Sequence, residues 1–152
     1  MAAAVMHFDV PPRDAWAILA QPRHYGFWVT GSRAVHEYDP DWPAVGTTFR
    51  HSQGKWPLVL SDTTTVLESE PPHRLKLEAR VRPLLVAHVT LSLEPEPGGT
   101  RVRMEEAPVG GVLAPGLHLP PWPAFVGGRN LESLRRLRWL AETAGARERQ
   151  AA

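Results

Sequence analysis

Four polar side chains able to hold a proton or a hydrogen bond fall at strand positions of one phase: His51, Asp62, Thr64 and Glu106. The phase follows from the alternation of side chains along a strand. Leu75 and Leu77 mark an inner face, and so do Val102 and Met104, whose phase carries Glu106 with it. Val66 carries Thr64, Asp62 and Leu60, while Phe49 carries His51 and Gln53. A bulge or a slip of a single residue reverses any of these assignments. On an apolar face, Asp62 or Glu106 must find a cation, take up a proton or reach solvent. Two chemistries therefore stay open for each carboxylate. It pairs structurally with a nearby Arg, or it orients a ligand hydroxyl and acts as general acid or base. For His51 the choice lies between a satisfied structural imidazole and a proton carrier.

Other chemistries lack their residues. There is no Gly-rich phosphate loop, no His-Glu-x-x-His and no Gly-x-Ser-x-Gly. The seven His are scattered without metal-ligand spacing, so neither a metal nor another cofactor is expected. With no Cys, disulfides, thiolate zinc sites, iron–sulfur clusters and a thiol nucleophile are excluded. Seventeen basic and sixteen acidic residues leave a net charge of +1, so no whole-chain field draws nucleic acid or an anionic membrane. No apolar run approaches the ~20 residues that span a bilayer, and the start lacks the basic region of a signal peptide. A cytoplasmic protein without stable membrane insertion is expected.

The elements that must position these groups can be read from periodicity. The chain of 152 residues is the size of one domain. A strand is expected over 3–9, followed by a helix that opens at Val10-Pro11-Pro12-Arg13-Asp14 and runs to about Ala20. His24 to Trp28 reads as a short second helix or turn. Strands are expected over 33–38, 46–53, 58–69, 73–82, 84–94 and 100–107, joined by short turns as a meander. Residues 108–123 form a Pro- and Gly-rich irregular stretch, in which Gly110, Gly111 and Gly116 serve either a moving gate or tight turns. A helix over 125–144 carries an apolar stripe of Leu131, Leu134, Leu137 and Leu140 or Ala141. Glu132 can pair with Arg136, and Arg138 with Glu142. One domain is expected over 1–145, with a frayed tail at 146–152.

A strand, two short helices, a meander and one long terminal helix make an α+β helix-grip fold. In that fold, one curved antiparallel sheet of six to seven strands wraps a long C-terminal helix. Five stretches carry a family resemblance: Pro11-Pro12-Arg13-Asp14-Ala15-Trp16, Trp42-Pro43-Ala44-Val45-Gly46-Thr47, Val66 to Leu75, Gly99-Thr100-Arg101-Val102 and Leu131-Glu132-Ser133-Leu134. Through them the sequence resembles the START-like (Bet v 1-like) superfamily. Within it, the chain is most similar to the polyketide cyclase/dehydrase and lipid transport (SRPBCC) family.

The resemblance implies a cavity between sheet and terminal helix, and a small hydrophobic ligand of lipid, polyketide or aromatic type inside it. The residues expected to line it are Tyr25, Trp28, Phe49, His51, Asp62, Thr64, Leu77, Met104, Glu106, Trp122 and Leu134. Tyr25, Phe27 and Trp28 sit where members of the family close one end. Trp16 reads as core, and Trp42 and Trp56 lie near strand ends. An enzyme of cyclase/dehydratase type, using Asp62, Glu106 or His51 as cavity acid or base, is the alternative. A protein-interaction module using the face of Arg135, Arg136 and Arg138 is a third. A cavity below about 300 Å³ would leave little room for a typical ligand.

Overall fold

The sheet consists of β1 (Ala2–Phe8), β2 (Ser32–Tyr38), β3 (Thr48–Gln53), β4 (Leu60–Glu70), β5 (Arg74–Val81), β6 (Leu85–Glu96) and β7 (Gly99–Gly110), with apolar alternation clearest in β5 and β6. The computed structural model describes residues 2–53, 60–81 and 83–151. Trp56, residues 58 and 59 of the expected third meander strand, Arg82, and the facing of Gln53 and Leu60 lie outside that description. The seven strands form one antiparallel sheet in the order β1-β7-β6-β5-β4-β3-β2. The meander thus runs from β2 to β7, and β1 closes the far edge beside β7. Register shifts fall in the β2–β3, β4–β5 and β6–β7 pairs. Bulges of this kind bend a strand and tighten its twist, which a sheet needs in order to curve around a helix.

Helix α1 (Pro12–Leu19) starts on Pro and carries Asp14 in its first turn, where the helix dipole favours a carboxylate. It buries Ala15, Trp16, Ile18 and Leu19. A turn of 3₁₀ helix at Pro22–His24 runs into α2 (Tyr25–Trp28), so the short helix expected here forms. Helix α3 (Trp122–Ala151) packs on β1 and β7 and against α1 and α2. Fully buried Phe8, Leu19, Leu75, Leu91, Leu93, Val102, Leu134 and Leu137 fill the space between helix and sheet.

Three boundaries move by three residues or more from expectation. Strand β7 continues through Pro108 to Gly110, so the irregular connection is shorter than 108–123. Helix α3 begins earlier, at Trp122, and continues through Ala151 where fraying was expected. Arg147, Glu148, Arg149, Gln150 and Ala151 are strong helix formers, and Gly145 does not end the helix. A Cβ at Gly145 would sit 3.2 Å from Val10 and from Asp14, so the glycine permits close packing on α1 and its entry. The Glu132–Arg136 pair forms, at 3.1 Å. Glu142 instead accepts the backbone N–H of Asp9 at 2.9 Å. No helix among the described residues is long and apolar enough to cross a membrane.

Gly111 has φ +94°, and a Cβ there would lie 2.5 Å from the Leu84 carbonyl oxygen. It serves a tight turn against β6. Gly116 has no atom within 4 Å of such a Cβ. Gly111→Ala is therefore expected to lower unfolding free energy by more than ~2 kcal/mol, against under ~0.5 kcal/mol for Gly116→Ala. Urea titrations of the two variants measure the difference.

Candidate functional site

The alternation that builds the sheet also selects which side chains meet α3. Phe49 stands opposite Thr64, and His51 opposite Asp62, in the β3–β4 ladder. The β4 irregularity falls beyond Val66, so the phase linking Asp62, Thr64 and Val66 is preserved. Leu77 pairs with Val89, and Val89 with Glu106. A hollow of about 90 Å³ results between the sheet and the first half of α3. Its apolar walls come from Phe49, Leu77, Ala79, Ala87, Val89 and Met104.

Eight of the eleven expected lining residues border this hollow: Tyr25, Trp28, Phe49, His51, Thr64, Leu77, Met104 and Glu106. Asp62 is buried, but it borders an open polar cleft of about 570 Å³ beside Arg50 and Arg80, which His51 also reaches. That cleft is larger, yet its charged walls offer an apolar molecule little. Trp122 borders a separate pocket of about 160 Å³. Leu134 is fully buried in the core and borders none of these spaces, because α3 presses it directly into the apolar cluster. At about 90 Å³, the hollow also falls below the ~300 Å³ of a typical ligand site.

The aromatic end is tightly built. Tyr25 contacts the rings of Trp28, Trp42 and Phe49 at centroid distances of 4.7, 5.6 and 4.9 Å. The Tyr25 hydroxyl and the Trp42 Nε1–H both donate to the Leu19 carbonyl, each at 3.0 Å. Burial pushes the Tyr25 phenol well above its usual pKa. Its hydroxyl is thus a structural anchor.

The polar candidates fare differently. Glu106 is nearly buried, and both its oxygens accept from Arg129 Nη2 at 2.6 Å. The partner that the sequence required for this carboxylate is therefore supplied by α3. Asp62 accepts the Thr63 amide N–H at 2.6 Å. The His51 ring lies 5.4 Å from Phe49. Burial, with a smaller push from His36, lowers its pKa to about 4, so it is neutral near pH 7.

Sequence reasoning missed the polar head of α3. The buried side of this helix reads Asn130, Ser133, Leu134, Leu137, Ala141 and Gly145. Ser133 Oγ accepts the Thr30 N–H at 3.0 Å and donates to Thr30 Oγ1 at 3.1 Å, tying α3 to the segment after α2. Asn130 is 1% exposed, and neither its Oδ1 nor its Nδ2 has a protein partner. Trp28 Nε1 and Ser32 Oγ are likewise buried without one. All three residues border the 90 Å³ hollow. A signal existed in the sequence: Asn130 and Ser133 continue the helical spacing of Leu134 and Leu137. No group of three or more His, Asp or Glu able to hold a metal occurs among the described residues.

Comparison with solved structures finds the same fold widely. A Chromobacterium violaceum protein is 18% identical with a TM-score of 0.70, the match covering 92% of this chain and 95% of that one. A Staphylococcus aureus protein of unknown function is 11% identical with a TM-score of 0.74, covering 95% and 94%. The di-domain ARO/CYC BexL from the BE-7585A biosynthetic pathway is 18% identical with a TM-score of 0.65; the match covers 93% of this chain and 48% of BexL. No protein of curated function matches the sequence significantly. A family model described as polyketide cyclase / dehydrase and lipid transport matches residues 2–142. With that match spanning the sheet, the hollow and most of α3, the chain belongs to the polyketide cyclase / dehydrase and lipid transport family.

Proposed function

We propose that this protein binds a small, mostly apolar molecule bearing carbonyl or hydroxyl oxygen, held between the sheet and the head of α3. One observation carries the reading: Trp28, Ser32 and Asn130, each with a buried polar atom that lacks a protein partner, all border one hollow. A buried polar group left unpaired costs about 1–3 kcal/mol. Clustering such groups at one place suits a guest that completes their hydrogen bonds. Apolar walls would supply affinity and the polar atoms orientation. A hollow of about 90 Å³ takes only a few heavy atoms, so binding needs it to widen. Met104 on its wall is unbranched and readily repacks.

A cyclase or dehydratase is the second reading, supported by the family description and by His51. A neutral imidazole on the wall can accept a proton from a bound substrate. Its low pKa makes it a weak base, however, and Glu106 is occupied by Arg129. Binding is accordingly the reading favoured by the geometry. The Arg face of α3 offers less to a protein partner, since Arg135 and Arg136 both pair with Glu132.

Asn130→Leu separates stability from binding. The variant should be more stable in urea by ~1–3 kcal/mol, because two unpaired polar atoms leave the interior. It should also lose most of any ligand that native mass spectrometry detects on freshly purified protein. A less stable variant with undiminished ligand would contradict the role given to Asn130.

His51 gives a pH test. Its folded pKa of about 4 lies below the ordinary 6.5, so between these values the unfolded chain binds the extra proton. Stability due to neutral His51 is complete above pH 6.5 and is lost as pH falls towards 4. The loss should reach a few kcal/mol, since each tenfold difference in proton affinity between the folded and unfolded chain is worth about 1.4 kcal/mol. His51→Gln should flatten that limb in denaturant titrations. Glu68 and Glu78, held low by hydrogen bonds from Arg74 and Arg80, lose their contribution only as pH falls through 4.5 and below, and that part should be unaffected.

A further inference from the structure

The inner hollow has a neighbour. The pocket of about 160 Å³ lies beneath the entry to α3, walled by Ala2, Leu117, Trp122, Phe125 and Val126. Leu85, Ala87, Glu106 and Arg129 border both spaces. The Glu106–Arg129 ion pair is therefore part of the wall between them.

The pair is arranged with capacity to spare. A single nitrogen, Nη2, serves both oxygens of Glu106. A guanidinium carries five N–H donors, and those on Nε and Nη1 have no acceptor among the described residues. The arrangement also forgoes the two-nitrogen fork that makes Arg–carboxylate pairs strongest. The Arg129 side chain is 33% exposed, against 9% for Glu106. Arginine is thus the partner with room to turn outward, while the carboxylate stays fixed on β7. Its charge matters as much as its place. Beside Arg129 alone, an anion would be welcome. Beside the pair, an anion meets the Glu106 carboxylate, whereas a neutral oxygen can accept from Nε or Nη1 and displace nothing.

We propose that the two pockets are chambers of one elongated site, and that Glu106 sets its selectivity by neutralising Arg129. The site then admits neutral oxygen-bearing molecules and turns anions away. An apolar end would lie against Trp122 and Phe125, and an oxygenated end against Trp28 and Asn130. Outward rotation of Arg129 joins the chambers. The proposal rests on the binding reading above and adds ligand shape and charge to it.

Two probes sharing a ring system test it: neutral N-phenyl-1-naphthylamine and anionic 1-anilinonaphthalene-8-sulfonate, both brighter in apolar sites. Each is too large for either chamber alone. Native protein should bind the neutral probe at least about tenfold more tightly, and the neutral probe should displace the sulfonate. Glu106→Gln keeps the shape and removes the negative charge, so the ratio should move towards the sulfonate by about tenfold. Arg129→Gln leaves the carboxylate uncompensated and should move the ratio the opposite way. Either variant decides the matter if the other fails to fold. An unchanged ratio in a folded variant overturns the selectivity proposal and leaves the binding reading standing. Failure of native protein to bind either probe overturns the joined chambers, and the binding reading is then judged by the Asn130→Leu comparison alone.

Discussion

The buried side of α3 changes character along its length, and the site depends on that change. From Leu134 onward the helix presents Leu137, Ala141 and Gly145, and these pack flush on β1, α1 and the apolar cluster. Before Leu134 the same side presents Arg129, Asn130 and Ser133. Polar side chains cannot close on an apolar sheet surface as leucines do, because their unpaired atoms resist burial. The hollow occurs where that packing gives out. The C-terminal half of α3 stabilises the fold, and its first half leaves space.

The ends of the space are held by different means. On the β2–β3 side, Tyr25, Trp28, Trp42 and Phe49 form a ring cluster in which the Tyr25 and Trp42 polar handles converge on the Leu19 carbonyl. That carbonyl lies at the end of α1, where helical acceptors would otherwise go unpaired. Two aromatic donors thus cap a helix and fix a wall. On the β6–β7 side the barrier is an ion pair with one partly exposed member. Packed rings close one end, and a charged pair with a partly exposed guanidinium closes the other.

This division has a thermodynamic consequence. Unsatisfied Asn130, Trp28 and Ser32, together with a histidine held neutral by burial, all weaken the free protein relative to an apolar interior. They gather around one hollow of about 90 Å³, and the apolar layer of Leu75, Leu91, Leu93 and Val102 carries no such groups. The unpartnered polar groups sit in one part of the domain, and the fully apolar core in another.

The local pattern of the chain determined the fold. Strict alternation in Leu75 to Val81 and in Leu85 to Leu93, the Pro-marked turns and a long terminal amphipathic helix admit few arrangements other than a meander gripping that helix. Alternation also places Glu106, His51 and Thr64 on the face that borders the hollow, since the side-chain period of a strand is a local property that the bulge after Val66 does not disturb. Tertiary structure alone decided what those groups meet. Glu106 pairs with Arg129 from a helix 23 residues away, and Leu134 went into the core while Asn130 took the place beside the hollow. The rotation of α3 over the sheet settles both outcomes. That rotation is fixed by the fit of Gly145 against Val10 and of Ser133 against Thr30, contacts between residues more than a hundred positions apart that no local period encodes.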